Sequence, residues 1–473
     1  MWHADGSAVW LASSESQVLI VPSLPFFPGL LFTPLRWLLV CLALLCVAVL
    51  PVAQAEEEDY NQVPEDATGT IAAIRFEGND VTKDVILRQE LTIRPGEAVS
   101  RKTIEQSRQA LMNLGLFKRV RAHLEPAAES GEGNSQAVIF TVTEKWYVLP
   151  LPQFDRDSEG DYPYGFELRW DNFLGYNQSL GLEFERTQRD DGIDEMRQEF
   201  SYDIPRIPRT QFGFSMYVQR RDTVVQETDP VLGAGEYDLK LDSFAWSVSR
   251  WLLQRGPSVG WRGSFGSTTF KENYDYRSGV DGLITDRKIV EMWVGATYHS
   301  VYEYEWHRQG QEYGWAYTLS DRDLGSDDGY SRLDLFYRGY LYPVFLEHDN
   351  FNTQVQLGYG NDYDDDIDAY AIGSAKTLRG YDRDDVKGDV LALVNMEYLV
   401  PAPRRRALRG VVFVDAGNVY QTSEVDLTDL RYAAGLGLRW KVRSLVRTDL
   451  RVDVAWNFED EEYKIYAGTR YMF

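Results

Sequence analysis

Beyond residue 55 the chain has no cysteine, because Cys41 and Cys46 both fall inside one apolar run near the N-terminus. No disulfide can staple the rest of the chain, so its stability has to come from packing or from backbone hydrogen bonding. Long apolar runs are equally scarce. After Val52 no stretch approaches the ~20 apolar residues a helix needs to cross a bilayer, which excludes spans made of helices. Histidine is rare, five in all (His3, His123, His299, His307 and His348), and none forms an H-E-x-x-H pair. A G-x-S-x-G elbow, a phosphate loop and a dinucleotide fingerprint are absent too. His299 or His307 acting with Asp321 is the one remaining enzyme reading. Positive charge is outnumbered: 49 Lys and Arg against 73 Asp and Glu give −24, and removing Asp5, Glu15 and Arg36 with residues 1–55 leaves −23. Such a surface repels phosphates and argues against nucleic acid as a partner.

The features that are present begin with Leu38–Val52, LLVCLALLCVAVLPV. Arg36 precedes it, Ala53-Gln54-Ala55 follows, and Glu56-Glu57-Glu58-Asp59 comes next. A positive flank, a short apolar core and an A-x-A site predict a secretory signal peptide over 1–55, cleaved after Ala55. A retained anchor fits less well, since the run is short, Pro51 breaks its end and no basic flank comes after it. Val40 and Leu45 precede the cysteines where a lipoprotein would need a small residue. Residues 1–33 are a long preface for a leader, and a true start near Leu31 or Leu35 is the reading for them.

Residues 56–69 read as an acidic linker. Order is expected from Thr70: a strand over Thr70–Phe76, closed at Gly78-Asn79, a helix within Val81–Leu91, and a second helix over Arg101–Leu116. Strands over Lys118–Leu124 and Ala137–Thr143 complete a small α+β domain at 70–145. Ile74-Arg75-Phe76-Glu77-Gly78-Asn79, Pro95-Gly96, Leu114-Gly115-Leu116-Phe117 and Val142-Thr143-Glu144-Lys145 resemble, in this order, the POTRA (polypeptide-transport-associated) domain. In that family Gly78-Asn79 would close the first strand, and Gly115 with Phe117 would link the second helix to the second strand.

From Trp146 to Phe473 the pattern is alternation. Leu450, Val452, Val454, Trp456 and Phe458 interleave with Asp449, Arg451, Asp453, Ala455 and Asn457, and Leu180, Leu182 and Phe184 with Gly181, Glu183 and Glu185. An apolar face ending in aromatics against a charged face describes a lipid-out, lumen-in barrel strand. A soluble sandwich would also alternate. Strands of ~9–11 residues, as a tilted span requires, favour the barrel. About sixteen strands are expected over 146–473, giving a mainly β fold, a transmembrane β-barrel behind one α+β domain. The acidic stretches Asp321–Asp328 and Asp362–Asp368 read as surface loops. The second lacks the glycine and distal glutamate of a calcium loop, so no metal and no cofactor are expected.

Leu378-Arg379-Gly380-Tyr381, Asn395-Met396-Glu397-Tyr398 and Phe413-Val414-Asp415-Ala416-Gly417 stand out within this region. Asp415 sits mid-strand among apolar neighbours, where a carboxylate facing lipid would be very unfavourable, so it should face the lumen and meet a cation. With Tyr466-x-Gly468-x-x-Tyr471-x-Phe473 at the C-terminus, these words resemble the BamA/TamA superfamily of barrel-assembly and translocation proteins. The resemblance covers Thr70–Phe473. It implies that Arg379, on a long loop folded into the lumen, latches to Asp415, with Glu397 and Gly417 nearby; exchanging the two charges of such a pair should recover part of the activity that either single change loses. It also implies that Tyr466, Gly468, Tyr471 and Phe473 form the recognition signal of the last strand. One POTRA domain stands where better-known members carry several, and no room is left before Thr70 for a plug helix.

The implied function is insertion, assembly or translocation of client polypeptides at the outer membrane of a Gram-negative cell, without covalent chemistry. The POTRA domain would face the periplasm and take clients on its edge strand, read as Ala137–Thr143. Outer-membrane lipid is the second partner, with other periplasmic or envelope proteins beyond it. A passive pore or surface antigen is the alternative. The leader reading has a direct check: intact mass of the protein extracted from outer membranes should correspond to a chain starting at Glu56, and retention of Leu38–Val52 would overturn it.

Overall fold

The computed structural model describes residues 61–127, 135–154, 162–188, 194–254, 259–346, 348–361, 369–382, 385–403, 405–446 and 449–468. The leader with Ala53 and Ala55, the acidic stretch 362–368, and Tyr471 and Phe473 lie outside these residues.

The N-terminal domain runs β1 (Thr70–Glu77), α1 (Asp84–Glu90), α2 (Arg101–Asn113), β2 (Phe117–Pro126) and β3 (Ser135–Glu144). Apolar positions on both helices meet the sheet in one core of Ile86, Leu87, Ile104, Leu111, Val120, Val138, Phe140 and Val142. Phe117 enters the same core, 1% exposed. After Gly78, Asn79 bridges the turn into α1, its side-chain amide donating to Thr82 O at 2.9 Å and Asp84 Oδ1 at 3.0 Å. Gly115 sits between α2 and β2.

The sheet order corrects one expectation. It is β1-β3-β2, with β3 parallel to β1 and antiparallel to β2, so Ala137–Thr143 lies in the centre and not at an edge. The two helices carry the chain to β2, one place away from β1, and the β2–β3 hairpin then lays β3 into the gap, an order that a strand-by-strand reading does not reveal. Burial follows from the central position: Ala137, Val138, Ile139 and Phe140 are all 2% exposed or less.

The second unit is one sheet of sixteen strands. It opens with β4 (Val148–Phe154), β5 (Tyr162–Trp170), β6 (Ser179–Gln188) and β7 (Asp194–Ile204). Four long strands follow: β8 (Phe212–Asp229), β9 (Gly233–Gln254), β10 (Gly260–Gly279) and β11 (Arg287–Glu303). Then come β12 (Arg308–Ser320), β13 (Tyr330–Leu341) and β14 (Asn350–Asn361). The short pair β15 (Tyr370–Ile372) and β16 (Val386–Gly388) belongs to the next loop. The wall ends with β17 (Val390–Ala402), β18 (Arg405–Tyr420), β19 (Arg431–Lys441), β20 (Asp449–Asn457) and β21 (Tyr463–Gly468). All neighbours in this sheet are antiparallel, and β21 and β4 stand at its two ends.

Burial along the wall is inverted relative to a soluble sandwich. On β20 the apolar Leu450, Val452, Val454 and Trp456 are exposed, while Asp449, Arg451, Asp453 and Asn457 are buried. A lipid-facing exterior and a polar interior account for both observations. The strands β8 to β11 have 18, 22, 20 and 17 residues, well beyond the ~9–11 that span a membrane. Past Val218, Phe244 and Phe265 their outward face carries the pairs Arg220–Asp242 (2.7 Å) and Lys240–Asp275 (2.7 Å), so the extension stands in water.

The N-terminal domain is seated on the turns at one end of this wall. Gly175 O accepts from Lys83 N at 3.0 Å, and Asn172 Nδ2 donates to Thr82 Oγ1 at 2.9 Å. Arg206 reaches Glu90 at 3.1 Å, and Gln109 Nε2 donates to Glu303 O at 2.8 Å. Burial pushes the Glu90 carboxyl above its ordinary range, against the pull of Arg206. Placement in lipid is testable by substitution: Val454→Arg should cost ~2–4 kcal/mol of folding stability if that face lies at bilayer depth. Leu232→Arg, in the β8–β9 turn, should cost almost nothing. Urea titrations in phospholipid vesicles compare the two, and equal costs would place β20 outside the lipid.

Candidate functional site: the lumenal loop seat

The connection from β14 to β17 folds back against the interior face of the wall. Asn395 Nδ2 donates to Thr377 O at 2.7 Å, and Leu378 and Tyr381 are 0% and 2% exposed. Between them Arg379 is fully buried. Its Nε and Nη2 donate to Asp415 Oδ2 and Oδ1 at 2.6 and 2.8 Å, a bidentate match of guanidinium to carboxylate. Nη1 reaches Glu397 Oε1 at 2.8 Å and Asp453 Oδ2 at 3.3 Å. The guanidinium carbon lies 3.5 Å from the centroid of the Phe413 ring, a cation–π stack on the remaining face.

Strand register explains why these groups converge. Asp415 lies opposite Asn395 and Ala433, Glu397 opposite Phe413, Phe413 opposite Gly435, and Gly437 opposite Asp453. Ala433, Gly435 and Gly437 thus leave a shallow trough along β19, which the loop fills. A Cβ at Gly435 would come within 2.3 Å of Phe413 Cζ, so the ring that supports Arg379 requires glycine there. Gly380 has φ +93°, a conformation that L side chains rarely adopt, and its N–H donates to Tyr466 Oη at 2.9 Å. Tyr381 Oη donates to Tyr432 O at 3.2 Å. Gly417 lies against Leu393, its register partner on β17.

The arrangement is a network rather than a pair. Arg439 bridges Glu397 (2.7 Å) and Asp453, so two arginines share three carboxylates. Arg451, opposite Arg439 on β20, donates to Ala375 O at 3.2 Å. No sequence motif points to Asp453 or Arg439 as members of the site, although each is a charged member of an alternating strand and so announces a lumenal position. Tyr466, read from sequence as part of the terminal signal, also faces Asp453 and holds the loop, while Gly468 pairs with Arg451. The catalytic alternative is not assembled: His299 contacts Glu312 at 3.4 Å and His307 stacks on Tyr304 and Tyr342, both toward the end that carries the N-terminal domain. Asp321 caps a turn at the opposite end, accepting from Asp323 N.

Two family models match: an Omp85 superfamily domain over residues 172–470, and POTRA, described as a surface antigen variable number repeat, over 69–145. Among solved structures, BamA from Haemophilus ducreyi lacking POTRA domains 1–3 is 18% identical, covering 85% of this chain and 84% of its own, at TM-score 0.50. CdiB from Acinetobacter baumannii is 15% identical, covering 85% and 74%, at TM-score 0.59. CdiB from Escherichia coli is 14% identical, covering 85% and 76%, at 0.61. The first model spans more than half of the sequence, and the chain belongs to the Omp85 superfamily as a POTRA domain followed by its β-barrel.

Proposed function

We propose that this outer-membrane protein inserts or translocates client polypeptides, with its POTRA domain in the periplasm capturing an extended client by strand addition. The observation that carries the reading is the construction of the sheet's first end. Pro150 and Pro152 deprive β4 of two backbone donors. Prolines belong on edge strands, where a ladder is meant to stop. Near the POTRA domain the two ends of the sheet approach through the turn after β19: Trp146 N donates to Ser444 O at 2.7 Å and Arg169 Nη2 to Val446 O at 2.8 Å. A seam tied at its base and weak along β4 is a place where the wall can part and a client strand can pair. The loop seated against the interior face takes up part of the lumen, which favours lateral release over a passive open pore.

A photo-crosslinking residue at Val148, on β4, should capture newly exported outer-membrane polypeptides, and one at Leu335, in mid-wall, should not. Purified protein in liposomes should speed insertion of an unfolded barrel client. Conductance without faster insertion would establish the pore instead.

The loop seat is the second functional element, and it alters what a charge exchange should do. Arg379→Glu and Asp415→Arg should each abolish assembly activity, since leaving one partner of a buried ion pair alone typically costs ~3–5 kcal/mol. Combining them should not restore it, because a carboxylate at 379 would sit against Glu397 and Asp453. Arg379→Lys should retain the charge and lose the fork. Protease cleavage within 373–382 reports whether the loop is seated, and resistance in the charge-exchanged protein equal to wild type would show an isolated pair.

A further inference from the structure

On the long strands the outward face turns from apolar to charged within one step of the pleat. Register aligns Val218 on β8, Phe244 on β9, Thr269 on β10 and Val290 on β11 in one row. Nearer the POTRA end, Phe265 lies opposite Val294, and both are exposed, as a lipid-facing surface requires. Two residues further out along each strand, about 7 Å, the same register gives Arg220, Asp242, Lys271 and Lys288. This is the first charged row beyond the apolar face of these four strands.

The row is short of negative charge. Asp242 is committed to Arg220, whose Nε and Nη2 donate to its two oxygens at 2.7 and 3.0 Å. Lys271 and Lys288 are exposed and directly opposite one another, and neither forms an ion pair among the described residues. The acids around them have other partners. One row further out, Lys240 lies opposite Asp222 and holds Asp275 at 2.7 Å. Asp328 meets Arg287 at 3.3 Å, and Asp286 accepts from Tyr274 N at 2.8 Å. Asp327 is spent on the main chain of Lys288: its Oδ2 accepts from Lys288 N at 2.6 Å, and its own N–H donates to Lys288 O at 2.8 Å. The backbone that presents Lys288 is therefore fixed. Like charges held opposite each other on a sheet are unfavourable. A chain with 73 Asp and Glu has no shortage of carboxylates to place beside them.

We propose that Lys271 and Lys288 clasp a phosphate on the headgroup of an outer-leaflet glycolipid, at the boundary where the apolar face of β8–β11 ends. Charge and depth both point to the lipid. A phosphomonoester carries roughly 1.5 to 2 negative charges near neutral pH, which two ammonium groups balance. The pair lies one step beyond the last apolar row, where hydrocarbon gives way to headgroups. Acyl chains below such a phosphate would run along Val290, Val294 and Phe265. The inference rests on the proposed placement of the POTRA domain in the periplasm, which puts this end of the wall in the outer leaflet. β10 and β11 stand near the middle of the sixteen-stranded sheet, away from both of its ends. A lipid held there braces the wall on the side opposite the seam.

Protein folded into phospholipid bilayers, with and without lipid A carrying its phosphates, provides the test. Acetylation read by mass spectrometry should slow roughly tenfold at Lys271 and Lys288 when lipid A is present, the protection expected of a charge-assisted contact worth about one decade in affinity. Lys240 should change little. Lys271→Gln with Lys288→Gln should lower the lipid A retained on extraction about tenfold, and Lys240→Gln should leave it unchanged. Equal protection of all three lysines, or equal loss in the two variants, would reduce the row to a diffuse charge effect and overturn the proposal. Protection by lipid A stripped of its phosphates would do the same. A dimer that forms without lipid A and is lost in the double variant would assign the pair to a second copy of this acidic chain, which also overturns it. Orientation has its own readout. Leu232→Cys, in the exposed β8–β9 turn, should react in whole cells with a polymer-linked maleimide too large to cross the outer membrane. Lysine protection in bilayers without labelling at position 232 would keep the phosphate site and remove the periplasmic placement.

Discussion

A guanidinium without solvent has to be neutralised where it lies, and the interior of this barrel is organised around that requirement. Arg379 is fully buried, and its donors are met from three strands, by Asp415 on β18, Glu397 on β17 and Asp453 on β20. Each of those carboxylates would be untenable alone in a dry interior. The loop and the wall thus stabilise one another, and neither half of the network can be removed without leaving a buried charge. Lysine could supply the charge but not the planar fork or the stack on Phe413. The small residues of β19 are the complement of this chemistry, because they make the space in which a loop backbone can approach the wall.

The same need for partners governs the backbone. A sheet in lipid has to satisfy its N–H and C=O groups internally, and a wall whose first strand carries two prolines meets that need least well at its end. The POTRA sheet shows the opposite state, with both outer edges partly covered by the chain itself. One region is short of pairing and the other holds its pairing in reserve. A molecule that handles extended polypeptides needs both properties, since an edge left permanently open would also recruit the wrong strands.

Much of this was legible in the sequence because local words carry local geometry. Gly78-Asn79 marks a turn, Asp415 in an apolar strand has to face the lumen, and alternation from Leu450 to Phe458 fixes which face meets lipid. The features that escape a linear reading depend on neighbours. Asp453 and Arg439 are each visible as lumenal, but only the register between β17, β18, β19 and β20 brings them to Arg379. The centre of the POTRA sheet is hidden for a similar reason, because adjacency in a sheet with a crossover does not follow chain order. The length of β8 to β11 is understated by the alternation, because its sense inverts beyond the lipid boundary: on β9 Tyr237 and Leu239 turn inward while Asp238 and Lys240 face out, and the ladder continues.

The hydrogen bond from Gly380 to Tyr466 also sets an order of events. Its partners are 86 residues apart, and the contact from Arg379 to Asp453 spans 74. Both belong to the last strands to be synthesised and exported. Until β20 and β21 arrive, the loop has only part of its counter-charge and no hydroxyl to receive Gly380, and water is the better solvent for Arg379. Loop entry is therefore a late step in the protein's own maturation, and a chain that has lost its final hairpin displays the defect on its outside, as an unseated, protease-accessible loop.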